Sequence, residues 1–358
     1  MKIRLIALLF VAVPVTLLAQ VTYAFTDLGT LGGNYATAVA INNAGQIVGT
    51  SKNGSGQSRA YIYSGGVMTG LATLGGTTGN ATGINNAGVV VGDSTLAGNT
   101  VTHGFVYQSG TTTDLGAITG NSYAKGINDN GLIVGYTGVT GGTNAFSYLS
   151  GTMTALGSLG GTQSYGNAVN NAGQVGVQTY GLSVYGGVIY DNGTTTSLGT
   201  LGGSNTFVFG VGEAGQVLGH SNVAGDAHYH AYIYSGGTMT DLGALGATYN
   251  SAAFAINSSD TIVGYSGSPS GNHGFIYSSG QMLDLNSLTT VPTGWVINNA
   301  YDINDAGQIV GTIYNSSLSQ TRAYLLTPVP EPATWTALVG AVALVATGWR
   351  RSRKRASE

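Results

Sequence analysis

The chain has no cysteine among its 358 residues, which excludes disulfides, thiolate metal sites and cysteine nucleophiles. Proline is scarce, at 6 residues, and only 7% of positions are charged. Most of the positive charge lies at the two ends. Between Phe25 and Pro328 the basic residues are Lys52, Arg59, Lys125 and Arg322, against twelve Asp and Glu, which leaves a net charge of −8. Such a body lacks the basic footprint that holds a phosphate backbone, so nucleic acid is set aside as a partner. No Gly-Lys-Ser/Thr phosphate loop, Gly-x-Ser-x-Gly elbow or Asp-x-Asp-x-Asp-Gly calcium loop is present.

What is abundant is glycine, with 60 residues, and tyrosine, with 21. Regular Val, Ile, Tyr and Phe runs between the glycines supply buriable surface, so the composition suits many short strands joined by tight turns rather than disorder. One stretch, Ile41-Asn42-Asn43-Ala44-Gly45-Gln46-Ile47-Val48-Gly49, recurs with variation. Its seven occurrences start at Ile41, Ile84, Ile127, Val169, Val211, Ile256 and Ile303, at intervals of 43, 43, 42, 42, 45 and 47 residues. A period in this range marks an array of small units that stack on one another.

Within one unit, taken from Asp27 to Ser64, four short strands are expected. They are a Thr-Asp-Leu-Gly segment ending at Gly32-Gly33, then residues 36–41, residues 46–51 and residues 59–64. Asn42-Asn43-Ala44-Gly45 is a hairpin turn, because Asn and Gly tolerate the left-handed conformation such turns require. Four hairpin-linked strands in about 43 residues make one β-propeller blade. Seven copies predict an all-β, seven-bladed propeller over residues 25–328, with the strand near Phe25 completing the last blade and closing the ring. A β-solenoid is the alternative; its rungs are usually shorter and its two ends need caps. Two units depart from the pattern: the fourth has Val175-Gly176-Val177 where others read Ile/Val-Val-Gly, and the fifth has Gly212-Glu213 in the turn.

His103-Gly104-Phe105, His273-Gly274-Phe275 and Asn144-Ala145-Phe146 sit at equivalent places, and Leu-Gly-x-Leu-Gly-Gly occurs at 28–33, 156–161 and 198–203. With these the body resembles the HAF-repeat family of extracellular proteins. That resemblance implies an exported propeller-like module and no particular chemistry.

The two ends read as addresses. Met1-Lys2-Ile3-Arg4, the apolar run from Leu5 to Ala19 and the small residues of Thr22-Tyr23-Ala24 form a secretory signal peptide over residues 1–24, cut after Ala24 or, alternatively, at Ala19 or Gln20. At the other end Val329-Pro330-Glu331-Pro332 is followed by an uncharged run from Ala333 to Trp349 and a basic tail over 350–358. As a helix the run 333–349 would span roughly 25 Å, enough for one membrane crossing with the arginines left in the cytoplasm. Here the chain resembles the PEP-CTERM sorting tail of Gram-negative bacteria. The resemblance implies an exosortase as processing partner, with Pro330, Glu331 and Pro332 as its recognition elements, and transient anchoring in the inner membrane through the C-terminal helix.

No set of acids, bases or ligands converges in the sequence, so no catalytic centre, cofactor or metal is expected. Asp27, Asp114, Asp241 and Asp284 precede the recurrent leucine, and Asp129, Asp260 and Asp305 lie in the recurrent turn, which makes them architectural. His228 and His230, with His220 and Asp226 nearby, are the one local concentration of titratable groups, and the expectation there is solvated loop histidines. Binding is expected instead where residues vary inside the regular frame, two and four positions before each Ile-Asn anchor. If this strand is innermost, Tyr123, Lys125, Tyr165, Phe207 and Tyr301 rim the central funnel, able to stack on sugar faces or to donate hydrogen bonds. The alternative for these side chains is packing between blades. The expected product is an exported, non-catalytic surface or matrix protein binding exopolysaccharide or protein; the competing class is a secreted glycan lyase or hydrolase.

Overall fold

The computed structural model describes residues 21–181 and 185–330, and these residues form β-strands with their connecting turns and one short 3-10 turn at Leu285–Ser287. The expected membrane segment, the basic tail, Glu331 and Pro332, and most of the signal peptide lie outside the described residues.

Seven four-stranded antiparallel sheets follow one another along the chain, over residues 32–70, 75–114, 119–157, 163–197, 202–243, 251–284 and 296–329, the last completed by the N-terminal strand Thr22–Asp27. The first strand of each sheet, from Gly32–Ile41 in blade one to Val296–Ile303 in blade seven, lies against the first strands of the blades on either side, and the seventh lies against the first. The array is a closed ring, a seven-bladed β-propeller, and not a solenoid. The strand Thr22–Asp27 pairs with Gln320–Val329 as the outermost strand of blade seven, so the first and last described strands meet in one blade. A parallel bridge between Tyr35 and Thr321 joins blades seven and one.

The phase of the unit differs from the sequence reading. The segment before each recurrent leucine is not the first strand of its own blade; it is the outermost strand of the preceding one. The leucine then turns inward: Leu28, Leu71, Leu115, Leu198, Leu242 and Leu285 are all buried. Leu28, Leu71, Leu115 and Leu198 also donate their backbone N–H to a third-strand carbonyl, which pins the end of the blade.

Each blade is filled by a pair of residues facing each other across its second and third strands. In six blades glycine opposes an aromatic: Gly49 and Tyr61, Gly92 and Phe105, Gly135 and Phe146, Gly219 and Tyr232, Gly264 and Phe275, Gly311 and Tyr324. These aromatics are at most 1% exposed. Tyr61, Tyr232 and Tyr324 donate their hydroxyls to carbonyls of the first strand, at 3.0 to 3.1 Å. The glycine is required by space, since a Cβ at Gly219 would overlap the Phe207 carbonyl oxygen and the Tyr232 ring.

Blade four, the unit whose sequence breaks pattern, keeps the total volume by another division. Val177 replaces the glycine and opposes Val188 in place of an aromatic. Its neighbour Gly176 makes room for Val208 of blade five, which stands where most other blades have alanine. Volume-conserving exchanges of this kind are the ones a packed core tolerates.

Two outcomes follow. Val188→Phe alone should overpack blade four by about 1–3 kcal/mol, whereas Val177→Gly with Val188→Phe should regain most of that loss in denaturant unfolding. Cleavage after Ala24 would remove Tyr23, which is 8% exposed, donates its N–H to Leu288 O at 2.9 Å and accepts from Thr289 Oγ1 at 2.7 Å. The cut at Ala19 or Gln20 spares that strand, so N-terminal sequencing of the exported protein should begin no later than Thr22.

Candidate functional site in the central channel

The seven recurrent turns gather at one mouth of the ring, around a cavity of about 730 Å3. Six of the seven turns are built by their first asparagine, and the fifth has Gly212 in its place. Asn42 Oδ1 accepts from the backbone of Ala44 and Gln46, and its Nδ2 donates to Gln46 Oε1. The turn glycine is left-handed in six of the seven, with φ between +73° and +85°, and Asp260 at +58° takes its place in blade six.

The same amide then reaches across to the next blade. Asn42 donates to Asn85 O, Asn85 to Asn128 O, Asn128 to Asn170 O, Asn170 to Gly212 O, Asn257 to Asn304 O and Asn304 to Asn42 O, at 2.9 to 3.2 Å. A second circle runs beside it through the following residue. The backbone N–H groups of Asn43, Asn86, Asp129, Asn171, Ser258 and Asp305 donate to the side chains of Asn86, Asp129, Asn171, Glu213, Asp305 and Asn43. Both circles are interrupted at one place, between blades five and six. There Gly212 has no side chain to give, and Gln216 Nε2 spans the gap to Asp260 Oδ1 at 3.0 Å.

These contacts account for the acids of the rim. The hydrogen bonds of Ser258 and Asn43 hold the Asp305 carboxyl below the usual range. Burial pushes Asp129 up, and the donors of Asn86 and Asn171 outweigh it, leaving it low. At the seam between blades seven and one, Asp302 accepts from Ile41 N and Ile303 N, at 2.8 and 2.9 Å, and burial raises its carboxyl to about 7.

The acids before the recurrent leucine are equally architectural, with a partner the sequence reading missed. One carboxylate oxygen of Asp27, Asp114, Asp241 and Asp284 accepts the backbone N–H two residues on. Each carboxylate also binds the basic residue of the adjacent strand: Arg322 for Asp27, and His103, His230 and His273 for the others, at 2.7 to 2.9 Å. The signal was in the spacing, since all three histidines precede their aspartate by 11 residues. The histidines around 220–230 are not gathered: His230 is paired with Asp241, while His220 faces the channel-side aromatics. Among the described residues no three of His, Asp and Glu are grouped to hold a metal.

Further up the channel the wall is unit-specific. The position four before each anchor faces, across the blade, a second-strand residue that also varies. Blades one, two and seven pair Thr37 with Thr50, Asn80 with Asp93 and Asn299 with Thr312. This polar sector is hydrogen-bonded within itself, through Asn80 to Asp93 at 2.8 Å and Thr50 to Asn80 at 3.2 Å. Burial raises the Asp93 carboxyl, an effect that Asn80 and Lys125 partly offset.

Blades three to six are aromatic. Tyr123 stacks on Tyr136 at 4.8 Å, and Tyr136 meets Tyr165 edge-on at 4.7 Å. Contacts of 4.5 to 5.3 Å continue through Tyr180, Tyr185 and Phe207 to His220. Phe209 and Phe254 extend the belt to Tyr301 in blade seven. The Lys125 ammonium lies over the Tyr136 ring, 5.5 Å from its centre. All five residues singled out in the sequence therefore touch one continuous belt and are half-buried. Several of its contacts are made between blades. The partners that sequence reasoning missed, Tyr136, Tyr180, Tyr185, His220 and Tyr229, come from the second and third strands. The signal for two of them is the residue after the second-strand glycine, which is Thr50, Asp93, Tyr136, His220, Tyr265 or Thr312 in turn.

His220 is wedged among Phe207, Phe209 and Tyr229, and its Nδ1 has no hydrogen-bond partner. Burial lowers its pKa from 6.5 to about 4. The fold thus favours the neutral ring, while the unfolded chain takes up a proton near 6.5; stability falls as pH drops from about 6.5 to about 4 and this contribution falls no further below that. His220→Phe should remove a loss of up to about 3 kcal/mol over that window, read as a smaller drop in Tm between pH 7 and pH 4.5 than in the unaltered chain.

Residues 328–354 match the PEP-CTERM protein-sorting motif, which implies export and processing by an exosortase. No curated protein sequence matches the chain. Among solved structures it is similar to the β-propeller domain of the trilobed protease from Pyrococcus furiosus, described as having an open velcro topology, with a TM-score of 0.55 and 10% identity over 83% of this chain and 98% of that one. It is also similar to YCF48 bound to D1 peptide, with a TM-score of 0.52 and 11% identity over 87% of this chain and 96% of that one. At these identities the likeness is one of fold: the described body is a β-propeller, and the chain carries a PEP-CTERM sorting tail.

Proposed function

We propose that this chain is a cell-surface or extracellular-matrix component of a Gram-negative bacterium, built on HAF-type repeats, whose channel binds an exopolysaccharide. The observation that carries the reading is the division of the channel wall into a polar sector and an aromatic sector on an otherwise repeated frame. The turn hydrogen bonds, the shared strand of blade seven and the bridge between blades seven and one join the ring without the side chains of Thr37, Asn80, Tyr123, Tyr165 and Phe207. Aromatic side chains present faces on which sugar rings stack, and Asn, Thr and Lys supply directional hydrogen bonds without the charge density that would demand a charged ligand. Low charge throughout the body favours a neutral or weakly charged polymer over a strongly ionic partner. Delivery is by the sorting tail, with Pro330, Glu331 and Pro332 read by the exosortase and the C-terminal helix holding the chain in the inner membrane until processing.

The test is retention of the purified protein by the exopolysaccharide of the producing bacterium, measured by affinity electrophoresis. Tyr123→Ala with Tyr165→Ala should reduce retention at least tenfold while circular dichroism and Tm show a folded propeller. Retention equal to that of the unaltered protein would discard the channel as the binding surface.

A further inference from the structure

The three His–Asp pairs in the outer strands share one register, so they form an internal comparison. In blades two and five, no side-chain hydroxyl among the described residues is hydrogen-bonded to the free imidazole nitrogen, and His230 Nε2 is buried without any partner. Blade six differs. Its second and third strands, Ile262–Ser268 and Gly271–Ser278, are joined by the two-residue turn Pro269-Ser270, which brings Ser270 to the His273 imidazole. Ser270 Oγ lies 2.9 Å from His273 Nε2, and His273 Nδ1 lies 2.7 Å from Asp284 Oδ2. The other carboxylate oxygen of Asp284 is held by Asn286, through its backbone N–H at 2.8 Å and its side-chain amide at 2.9 Å.

This is the serine–imidazole–carboxylate relay: the carboxylate fixes the tautomer with the proton on Nδ1, leaving Nε2 free to accept the hydroxyl proton. The His273 side chain is 13% exposed and Asp284 28%, so the relay is partly shielded, while Ser270 itself is exposed at the blade edge. The recurrent His–Asp pair belongs to the frame; the hydroxyl on the imidazole belongs to blade six.

We propose that Ser270 is an activated nucleophile that cleaves small acyl esters, such as acyl groups displayed on an extended polymer, at a site separate from the channel. Ser270 Oγ adds to the ester carbonyl as its proton passes to His273 Nε2. The adduct collapses, the alcohol leaves with that proton, and an acyl-serine remains. Water then adds to the acyl-serine, giving its proton to His273, which returns one to Ser270 Oγ as the carboxylic acid departs. The open position of Ser270 suits a substituent carried outside the protein and not a substrate enclosed in a pocket.

The experiment uses the exported chain, p-nitrophenyl acetate as ester and a fluorophosphonate probe read by intact mass and peptide mapping. The expected result is one adduct, on Ser270, and ester hydrolysis that falls at least tenfold in both Ser270→Ala and His273→Gln. Hydrolysis by the unaltered chain should depend on pH, and that dependence should vanish in His273→Gln. The matched substitution His103→Gln, which breaks the same architectural pair in blade two, should leave adduct and rate unchanged. No adduct on Ser270, or Ser270→Ala hydrolysing the ester at the original rate, would overturn the proposal. So would equal losses in His103→Gln and His273→Gln, because that pattern belongs to destabilised blades.

Discussion

Everything in this molecule hangs on the hydrogen bond from one turn's asparagine to the next turn's carbonyl. A single antiparallel sheet of four short strands has two edges and too little buried surface to stand alone. Setting seven of them face to face buries both faces, yet hydrophobic packing is non-directional and does not by itself say when the ring is complete. The Asn amide does. It is spent first on its own turn and then on the neighbour, so the geometry of each turn fixes the approach of the next blade. Such bonds contribute roughly 1 kcal/mol each, and they close a circle only if the last turn meets the first, as Asn304 meets Asn42. The N-terminal strand in blade seven secures the same seam covalently from the other side.

Inside that circle the blades solve a volume problem separately. Glycine against an aromatic in six blades and valine against valine in the fourth are two answers to one constraint, and the odd blade shows the constraint more clearly than the regular ones. It also shows that a departure from a repeat is not evidence of weakness when its partner departs with it. The break in both hydrogen-bond circles at Gly212 is of another kind. Here one member is lost, and Gln216 supplies a different bond from a neighbouring position.

Much of this was legible in the chain itself. The period, the turn and the ring closed by the first strand followed from spacing and from the residues that left-handed turns require. The phase of the blade was legible only in part: the strand near Phe25 reads as completing the last blade, but the equivalent segments read as opening their own units, and the sheet pairings place them outermost in the preceding blades. The His–Asp pairs are written in a constant spacing of 11 residues, but His103 and His273 as recurrent repeat positions and the aspartates as turn residues each have a local reason of their own, which conceals the contact between them. Of the aromatic belt, the first-strand members stood out because their slots vary, whereas Tyr180, Tyr185 and Tyr229 carry no periodic signal; their meeting depends on how the second and third strands lean toward the channel.

Repetition offers a criterion for function that a single domain lacks. Where a residue type recurs at one register, the frame is sufficient to explain it, as with the rim acids and the acids before the buried leucines. Where a unit carries something its equivalents lack and no compensating change in packing or turn bonding accounts for it, the frame gives no reason for it. Two features meet that standard: the aromatic half of the channel wall, and the hydroxyl that blade six places on a histidine whose counterparts have none. The first is built on the innermost strands and completed from the second and third; the second lies on a tight hairpin at the blade edge, where length and sequence vary freely. A closed, cysteine-free frame with its polar groups committed to geometry leaves those two surfaces as the places where one copy can change without disturbing the other six.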